Sequence, residues 1–316
     1  MDNFTHSLAG WALGQAGLKT KSRKGLAALI LGANMPNIDI FFGWVGWPPL
    51  AMHRGFTHAL VGGVLFMPPL LAGLLLDRWQ VRRGTKFKSG LAMHRGWLLA
   101  LAYIGTITHP LLDLQTTYAV QLASPFSAAW YHADSLFIID VWLWTLIAGT
   151  IAWSRRLEKK GLEWRRPVQL AIGAAIAYIS FNIGLSQTAT ESVALNRPAA
   201  TDIFASPPPV LFWKRSMAWR EGRDIGRAEF EPFGRRLSEI QPLKPDGMDD
   251  PLVRHLLATR PALRNFLGWS ILPIATVERG KCKATVSIGD ARYLEGKSRR
   301  SRLERQLVTN LPGPGC

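Results

Sequence analysis

Imidazole and carboxylate side chains recur at five places in the first 140 residues of this 316-residue chain. Asp2 and His6 open it in DNFTH. Asp39 ends NMPNID, His53 and His58 bracket HRGFTH, and His109 and Asp113 bracket HPLLD. Asp134 and Asp140 follow His132 in HADSLFIID. His109 and Asp113 stand four apart, so on a helix they share one face and can grip one ion. His53 and His58 flank Gly55, which lets a loop bend both rings inward. Neutral imidazole with carboxylate suits zinc, and also manganese or iron. Two ions about 3.5–4 Å apart would activate water and stabilise both oxygens of a phosphoester displacement, with Asp113 or Asp39 as the bridging carboxylate.

Each residue also has a plainer reading. A lone histidine at a membrane interface more often hydrogen-bonds than ligates, and Asp140 can simply cap or pair within a helical bundle. His94 and His255 read as ordinary polar residues, and His132 stands in the right loop without a defined partner. What weighs toward metal is the whole set at one level of the molecule. That level follows from the elements that carry it.

Four apolar runs read as membrane spans: His58–Leu76, Gly96–Leu112, Leu136–Trp153 and Val168–Ser186. Nineteen residues of helix cover about 28 Å, close to a bilayer core of roughly 30 Å. Pro68 and Pro69 fall inside the first run and are tolerated where neighbouring helices satisfy the freed carbonyls. Phe4–Leu18 and Leu26–Trp47 are shorter or more broken and read as a helical pair dipping into the bilayer. The N-terminus lacks the basic region of a cleavable signal peptide, so the first apolar segment is expected to stay. Direction follows from Lys and Arg. Sixteen lie in Lys19–Lys24, Arg78–Arg95 and Arg155–Arg166, against one, Arg54, in the loops Asp39–Thr57 and Asp113–Ser135. The basic loops then face the cytoplasm. The acid–histidine motifs, and everything after Ser186, face outward, which in a bacterium is the periplasm. Much of the net charge of +16 is thereby assigned to membrane anchoring, with no nucleic acid expected. Trp44, Trp47, Trp97 and Trp130 read as an interfacial belt.

The expected fold is an all-α polytopic membrane bundle of four to six helical segments over residues 1–186, followed by a small α+β extracytoplasmic domain over residues 187–316. In the second part, Val210–Trp213, Ile225–Phe230, Ile274–Val277, Ala284–Ile288 and Gln306–Val308 read as strands. Pro251–Ala258 and Pro261–Gly268 read as helices opened by proline. Ser298–Arg305 reads as a solvated basic helix or loop. Two cysteines, Cys282 and Cys316, exclude a disulfide scaffold, although they could pair in an oxidising compartment. AMHRG occurs twice, at Ala51–Gly55 and Ala92–Gly96, on opposite sides of the expected membrane, and is read as coincidence. There is no GxSxG elbow, P-loop or GxGxxG, and no basic–aromatic nucleic-acid motif.

Together DNFTHSLAG, GANMPNID, HRGFTH, HPLLD and SPFSAAWYHADSLFIID resemble the YdjM family of inner-membrane metal-dependent hydrolases. WSILPIATVERG and VSIGDARY are similar to the outer domain of its longer members, so the resemblance spans essentially the whole chain. Members read PDID where this chain has Pro36-Asn37-Ile38-Asp39, so Asn37 departs from the pattern and Asp39 is the retained acid. The order of these groups also resembles the all-α zinc phospholipase C and single-strand nuclease superfamily. There, an N-terminal group and a histidine, an aspartate, a histidine and an HxxxD pair surround zinc. Carried over, this implies His6, Asp39, His53 or His58, His109 and Asp113. The later histidine–glutamate pair of that superfamily has no match here, with Asp134 standing for part of it, which favours one or two ions over three.

The expected activity is hydrolysis of a phosphoester at the outer face of the inner membrane, on a lipid or lipid-linked headgroup, by metal-activated water. The expected ligands are His6, Asp39, His53, His58, His109 and Asp113, with Asp2 and Asp134 as further candidates. Asp39 is also expected to orient or deprotonate the water. The ion is expected to be zinc, with manganese or iron as alternatives, and membrane lipids are the expected partners. The competing expectations are a metal-stabilised scaffold or sensor without catalysis, and an ion transporter. The latter is disfavoured because the ligands gather at one end and not near the midplane.

Overall fold

A computed structural model describes residues 1–65, 68–87, 90–234, 236–238, 241–293 and 304–310. The chain divides into two compact units: residues 1–184 with 209–212, and residues 185–208 with 213–316.

The first unit is helical. α1 (Asn3–Gln15) starts at Asp2, whose carboxylate accepts from the Phe4 and Thr5 amides, and ends before Gly17, where φ is +129°. α2 (Gly25–Asn34) runs into a 3-10 turn, Met35–Phe41. Pro36 at its start has no N–H to continue the α ladder, which favours the tighter winding. One-turn α3 (Pro48–Ala51) and a 3-10 turn, Phe56–His58, lead to α4 (Leu60–Leu65) and α5 (Pro68–Arg82). α6 (Arg95–Asp113), α7 (Val141–Lys159) and α8 (Arg165–Asn196) follow.

α6 buries Leu98, Leu101, Ala102, Gly105, Thr106, His109, Pro110 and Asp113. That stripe recurs every three or four residues, apolar at the start of the helix and carrying His109 and Asp113 at its end. It lies close against α2 because both helices use glycine at the crossing. A Cβ on Gly105 would collide with the Leu29 carbonyl, one on Gly32 with the Ala102 carbonyl, and one on Gly10 of α1 with the α2 backbone at Leu29 and Ile30. Small residues at such crossings let the helix backbones approach closely and gain dispersion contacts. Leu8, Ala12, Leu143, Ile147, Ile151, Val168, Ala171 and Ala175 form a second apolar cluster joining α1, α7 and the first half of α8. α7 is tied to the end of α1 by Gln15 to Ser154 at 3.1 Å, and to the 3-10 turn Leu18–Lys21 that follows α1 by Lys19 to Glu158 at 2.6 Å. Arg23 makes a bidentate pair with Asp77 at 2.9 Å. Asp140 caps α7 by accepting from the Leu143 amide at 2.8 Å and receives the Tyr178 hydroxyl at 3.1 Å, so its plainer reading is the one observed.

Among the described residues one helix, Arg165–Asn196, is long and apolar enough to cross a membrane, and Gly25–Phe41 is a shorter apolar stretch. The run Gly96–Leu112 lies whole within α6, whereas other expected segments differ from their sequence runs. The run His58–Leu76 is divided between α4 and α5, and residues 66 and 67 lie outside the described residues. The run from Leu136 becomes helical only at Val141, after the Asp140 cap. α1 has 13 residues, about 20 Å of helix, short of a bilayer core.

The second unit holds an antiparallel sheet ordered β1 (Ala200–Ser206), β2 (Arg215–Glu221), β3 (Asp224–Glu231), β4 (Arg236–Leu237), with β5 (Gln241–Pro245) also on β3. Its core, with Trp219, Phe230 and Met217, is joined by Ala189 and Val193 from the end of α8. Gly226 faces Trp219 across the ladder because any Cβ there would strike the indole. α9 (Pro251–Thr259) and α10 (Pro261–Trp269) pack on a second antiparallel sheet, β6 (Pro273–Arg279), β7 (Lys283–Asp290) and β8 (Glu304–Asn310). The proline-opened helices and four of the five expected strands are present. Val210–Trp213 is not a strand. It follows Pro207-Pro208-Pro209, which offers no N–H to a ladder, and the Val210 carbonyl instead accepts the Trp142 indole at 2.9 Å. β1 and β2 replace it. Cys282 is disulfide-bonded. Cys316, and Ser298–Arg305 apart from the first two residues of β8, lie outside the described residues.

Candidate metal centre

The end of α6 presents His109 and Asp113 on its buried stripe, and α1 delivers His6 one turn from its start. All three are 0 % exposed. The His6 and His109 rings stack with centroids 3.5 Å apart. The 3-10 turn after α2 brings in Asp39. The remaining candidate residues, His53 and His58, come from the segment between α3 and α4. That loop turns at Arg54, where φ is +64°, and at Gly55, where a Cβ would strike the Pro49 and Met52 carbonyls. This turn faces His53 and His58 toward Asp39 and sends the Arg54 side chain inward, 2 % exposed.

Two groups of donors result: His6, His109 and Asp113, and Asp39, His53 and His58. They meet at His58. Its Nε2 lies 3.0 Å from His109 Nε2 and 3.3 Å from Asp113 Oδ2, while His109 Nε2 is 3.4 Å from the same oxygen. The tautomers follow from the far side of each ring. His109 Nδ1 is 2.6 Å from the Ala33 carbonyl, which can only accept, so Nδ1 carries the hydrogen. His58 Nδ1 lies 3.1 Å from Asp39 Oδ2 and 3.0 Å from Thr57 Oγ1, whose hydroxyl is itself 3.0 Å from Asp39 Oδ2; with that hydroxyl donating to the carboxylate, Nδ1 carries the hydrogen. Both Nε2 atoms of the neutral rings are therefore bare, and they face each other and a bare carboxylate oxygen.

Three acceptors at 3.0–3.4 Å with no donor between them repel unless a cation or proton lies among them. Ligands about 2.0–2.1 Å from a tetrahedral zinc are about 3.3 Å from one another. His6 adds to this, since both its ring nitrogens, and Asp113 Oδ2, are buried with no hydrogen-bond partner among the described residues. His6 Nε2 is 3.4 Å from Asp113 Oδ1. Buried polar atoms left in this way are costly, and a bound ion satisfies them. The residues present fit a divalent metal with mixed nitrogen and oxygen ligands.

The other oxygen of Asp113 is engaged on its far side. Oδ1 contacts the Met1 amino group and lies 3.2 Å from the Arg54 guanidinium. Arg54 also donates to Thr116 Oγ1 at 2.8 Å and lies over the Tyr118 ring. Burial, and after it the charge of Arg54, holds the Met1 amine well below its ordinary pKa. Asp39 accepts from His53 Nδ1 at 2.9 Å, the Arg54 amide at 3.0 Å and Thr57 Oγ1 at 3.0 Å, besides His58.

The structure thus gathers His6, Asp39, His53, His58, His109 and Asp113. It leaves out the two further candidates. Asp2 is the α1 cap. Asp134, in a left-handed turn with φ +51°, bonds His132 Nδ1 at 2.9 Å. Asn37 reaches Asn3 Oδ1 and not the ligands. Arg54, Thr57, Thr116 and Tyr118 belong to the site and were not singled out from sequence. The one signal was the place of Arg54 and Thr57 between two candidate histidines.

A model of the YdjM inner membrane protein family matches residues 1–189, a stretch that contains all six gathered residues. No curated protein and no solved structure matches the chain.

Proposed function

The chain belongs to the YdjM inner membrane protein family, and from that premise we propose that it is a metal-dependent hydrolase of phosphoesters at the membrane surface. The observation that carries the reading is the pair of bare Nε2 atoms of His58 and His109, 3.0 Å apart beside Asp113 Oδ2. His6, His58, His109 and Asp113 supply ligands there, and zinc suits this nitrogen–oxygen set, with manganese or iron as alternatives. Zinc held there would supply a bound water of pKa about 7 and charge to stabilise a phosphoryl oxygen. The carbonyl of Ala33 holds the His109 ring in its ligating tautomer, and Arg54 holds Asp113 from behind. Such outer partners orient the ligands.

The substrate class is a lipid or lipid-linked phosphoester, because the ligands come from segments whose sequence places them at headgroup level. The helices cross the membrane several times with the basic loops in the cytoplasm, and the second unit lies outside. A disulfide at Cys282 is in keeping with an oxidising compartment. A second reading, a closed metal site serving a scaffold or sensor, is favoured by the full burial of His6, His109 and Asp113, since catalysis needs an open position. The half-exposed ring of His53 supports the open site.

The test is the metal content of the detergent-purified protein by elemental mass spectrometry, beside His109→Ala and Asp113→Ala, followed by a phosphoesterase screen. One or two ions per chain, lost in both variants, and turnover on a phosphodiester support the reading. Metal without turnover on any phosphoester selects the scaffold. Absence of metal that reconstitution does not reverse removes both.

A further inference from the structure

Resting on that hydrolase reading, we propose that Asp39 and His53 are not metal ligands but a carboxylate–imidazole pair that carries the proton of the reaction, beside an ion held by His6, His58, His109 and Asp113. The two donor groups are thus one metal site and one proton-handling site that share a wall at His58.

The case rests on what each carboxylate oxygen faces. Asp113 Oδ2 faces two bare nitrogens and receives no hydrogen bond among the described residues. Asp39 is the reverse. Oδ1 accepts from His53 Nδ1 at 2.9 Å. Oδ2 accepts from the Arg54 amide, Thr57 Oγ1 and His58 Nδ1, all between 3.0 and 3.1 Å. A carboxylate surrounded by donors is an orienting group, and an ion would have to displace several of them to bind it. Carboxylates in this position typically fix the ring of a metal-bound histidine from the second shell.

His53 differs from the other three histidines in exposure. Its side chain is 40 % exposed, while His6, His58 and His109 are fully buried. With Nδ1 committed to Asp39, the reactive atom is Nε2. The ring stands edge-on to His58 with centroids 5.4 Å apart, so it borders the metal site and still reaches the outside. Asp39 therefore acts on two rings at once. It orients His58 through Nδ1 at 3.1 Å and His53 through Nδ1 at 2.9 Å.

In the step, the water oxygen bonds to phosphorus, and the phosphorus–oxygen bond to the alcohol breaks with its electron pair on the alcohol oxygen. That oxygen takes the proton from His53 Nε2, and the proton released by the water returns the ring to its starting state. Asp39 is a positioning residue. His53 is the catalytic residue.

The experiment compares full-length, detergent-purified wild type, His53→Gln, His53→Asn and Asp113→Ala by two readouts. One is metal per chain. The other is turnover of two probes: bis(4-nitrophenyl) phosphate, whose leaving group needs no proton, and phosphatidylglycerol in mixed micelles, whose alkoxide does. Both His53 variants are expected to keep the wild-type metal content that Asp113→Ala loses. They are expected to lose about 10²- to 10⁴-fold on phosphatidylglycerol, the usual worth of a general acid, and far less on the nitrophenyl ester. Loss of an ion in both His53 variants makes His53 a ligand and overturns the proposal, as does an equal loss on both probes with metal intact. If wild type turns over neither probe, the hydrolase reading falls and the proton role with it, whereas the metal contents still decide whether His53 is a ligand.

Discussion

His58 and His109, 51 residues apart in sequence, face each other Nε2 to Nε2 at 3.0 Å. Each is held from behind by a group that can only accept, Asp39 for His58 and the Ala33 carbonyl for His109. With both Nδ1 atoms protonated the two Nε2 atoms have no hydrogen between them, so the pair is at ease with a cation or proton between its rings. Metal should therefore be part of this unit's stability.

Chelation is expected to lower the thermal unfolding midpoint, and added zinc to restore it. The size follows mass action. An ion present at 100 times its dissociation constant contributes about 2.7 kcal/mol. Differential scanning of the detergent-solubilised protein with and without chelator measures it. An unchanged midpoint in a sample shown to lose metal would contradict the assignment. In His109→Ala the chelator is expected to have no further effect.

Gly105→Ala tests whether the α2–α6 crossing positions the ligands. The added Cβ would strike the Leu29 carbonyl and crowd the Ala33 backbone nitrogen, and overpacking of this kind costs about 1–3 kcal/mol. Gly105 lies one turn before His109, so separation of the helices also moves that ring away from Ala33. The expected outcome is a lower unfolding midpoint together with weaker zinc binding. Gly149→Ala, at a position with open space beside the α-carbon, is the control and should change neither.

Asp2 and Asp134 separate by the same assays. Asp2→Ala removes the α1 cap and is expected to cost about 1 kcal/mol without removing a ligand. Asp134→Asn is expected to leave metal content at the wild-type value. A lost ion in the latter would return Asp134 to the ligand set.

Glu158 gives a pH dependence remote from the metal. Burial raises its pKa, but the hydrogen bonds from Lys19 and Gln15 outweigh that and hold it below the ordinary glutamate value. A carboxylate whose folded pKa is lowered contributes stability above its unfolded pKa and loses it as pH falls through the folded one. The pair is partly exposed, so its contribution is about 0.5 kcal/mol after screening. Unfolding midpoints measured from pH 7 down to pH 3 should fall less in Glu158→Gln than in wild type. Parallel curves would mean that the tie contributes nothing.

Much of the site was legible from residue types and spacing. HPLLD on a helix puts His109 and Asp113 on one face whatever surrounds them, because 3.6 residues per turn bring i and i+4 together. The helices at Pro251 and Pro261 follow from local chemistry, since proline without an N–H suits a first helical turn. The strands at β3, β6, β7 and β8 were visible as branched and apolar alternation. β1 and β2 were not, because ATDIFAS and RSMAWRE carry charge within them, and their burial pattern exists only once they pair.

What local sequence could not decide was direction and partnership. The backbone of Arg54 is left-handed, a state disfavoured for a residue with a Cβ, so only the packed loop sets it. That one dihedral aims the Arg54 amide at Asp39, and the folded loop brings two histidines to one carboxylate. It thereby turned a carboxylate expected as a ligand into one surrounded by donors. The length of each helix was likewise set by its ends: a cap at Asp140, a proline at the start of α5, a 3-10 turn after Asn34. Apolar composition counts residues but does not see those stops. The sequence by itself determined which side chains could bind metal. The tertiary structure decided which atom of each faces the others, because that depends on what holds the back of every ring.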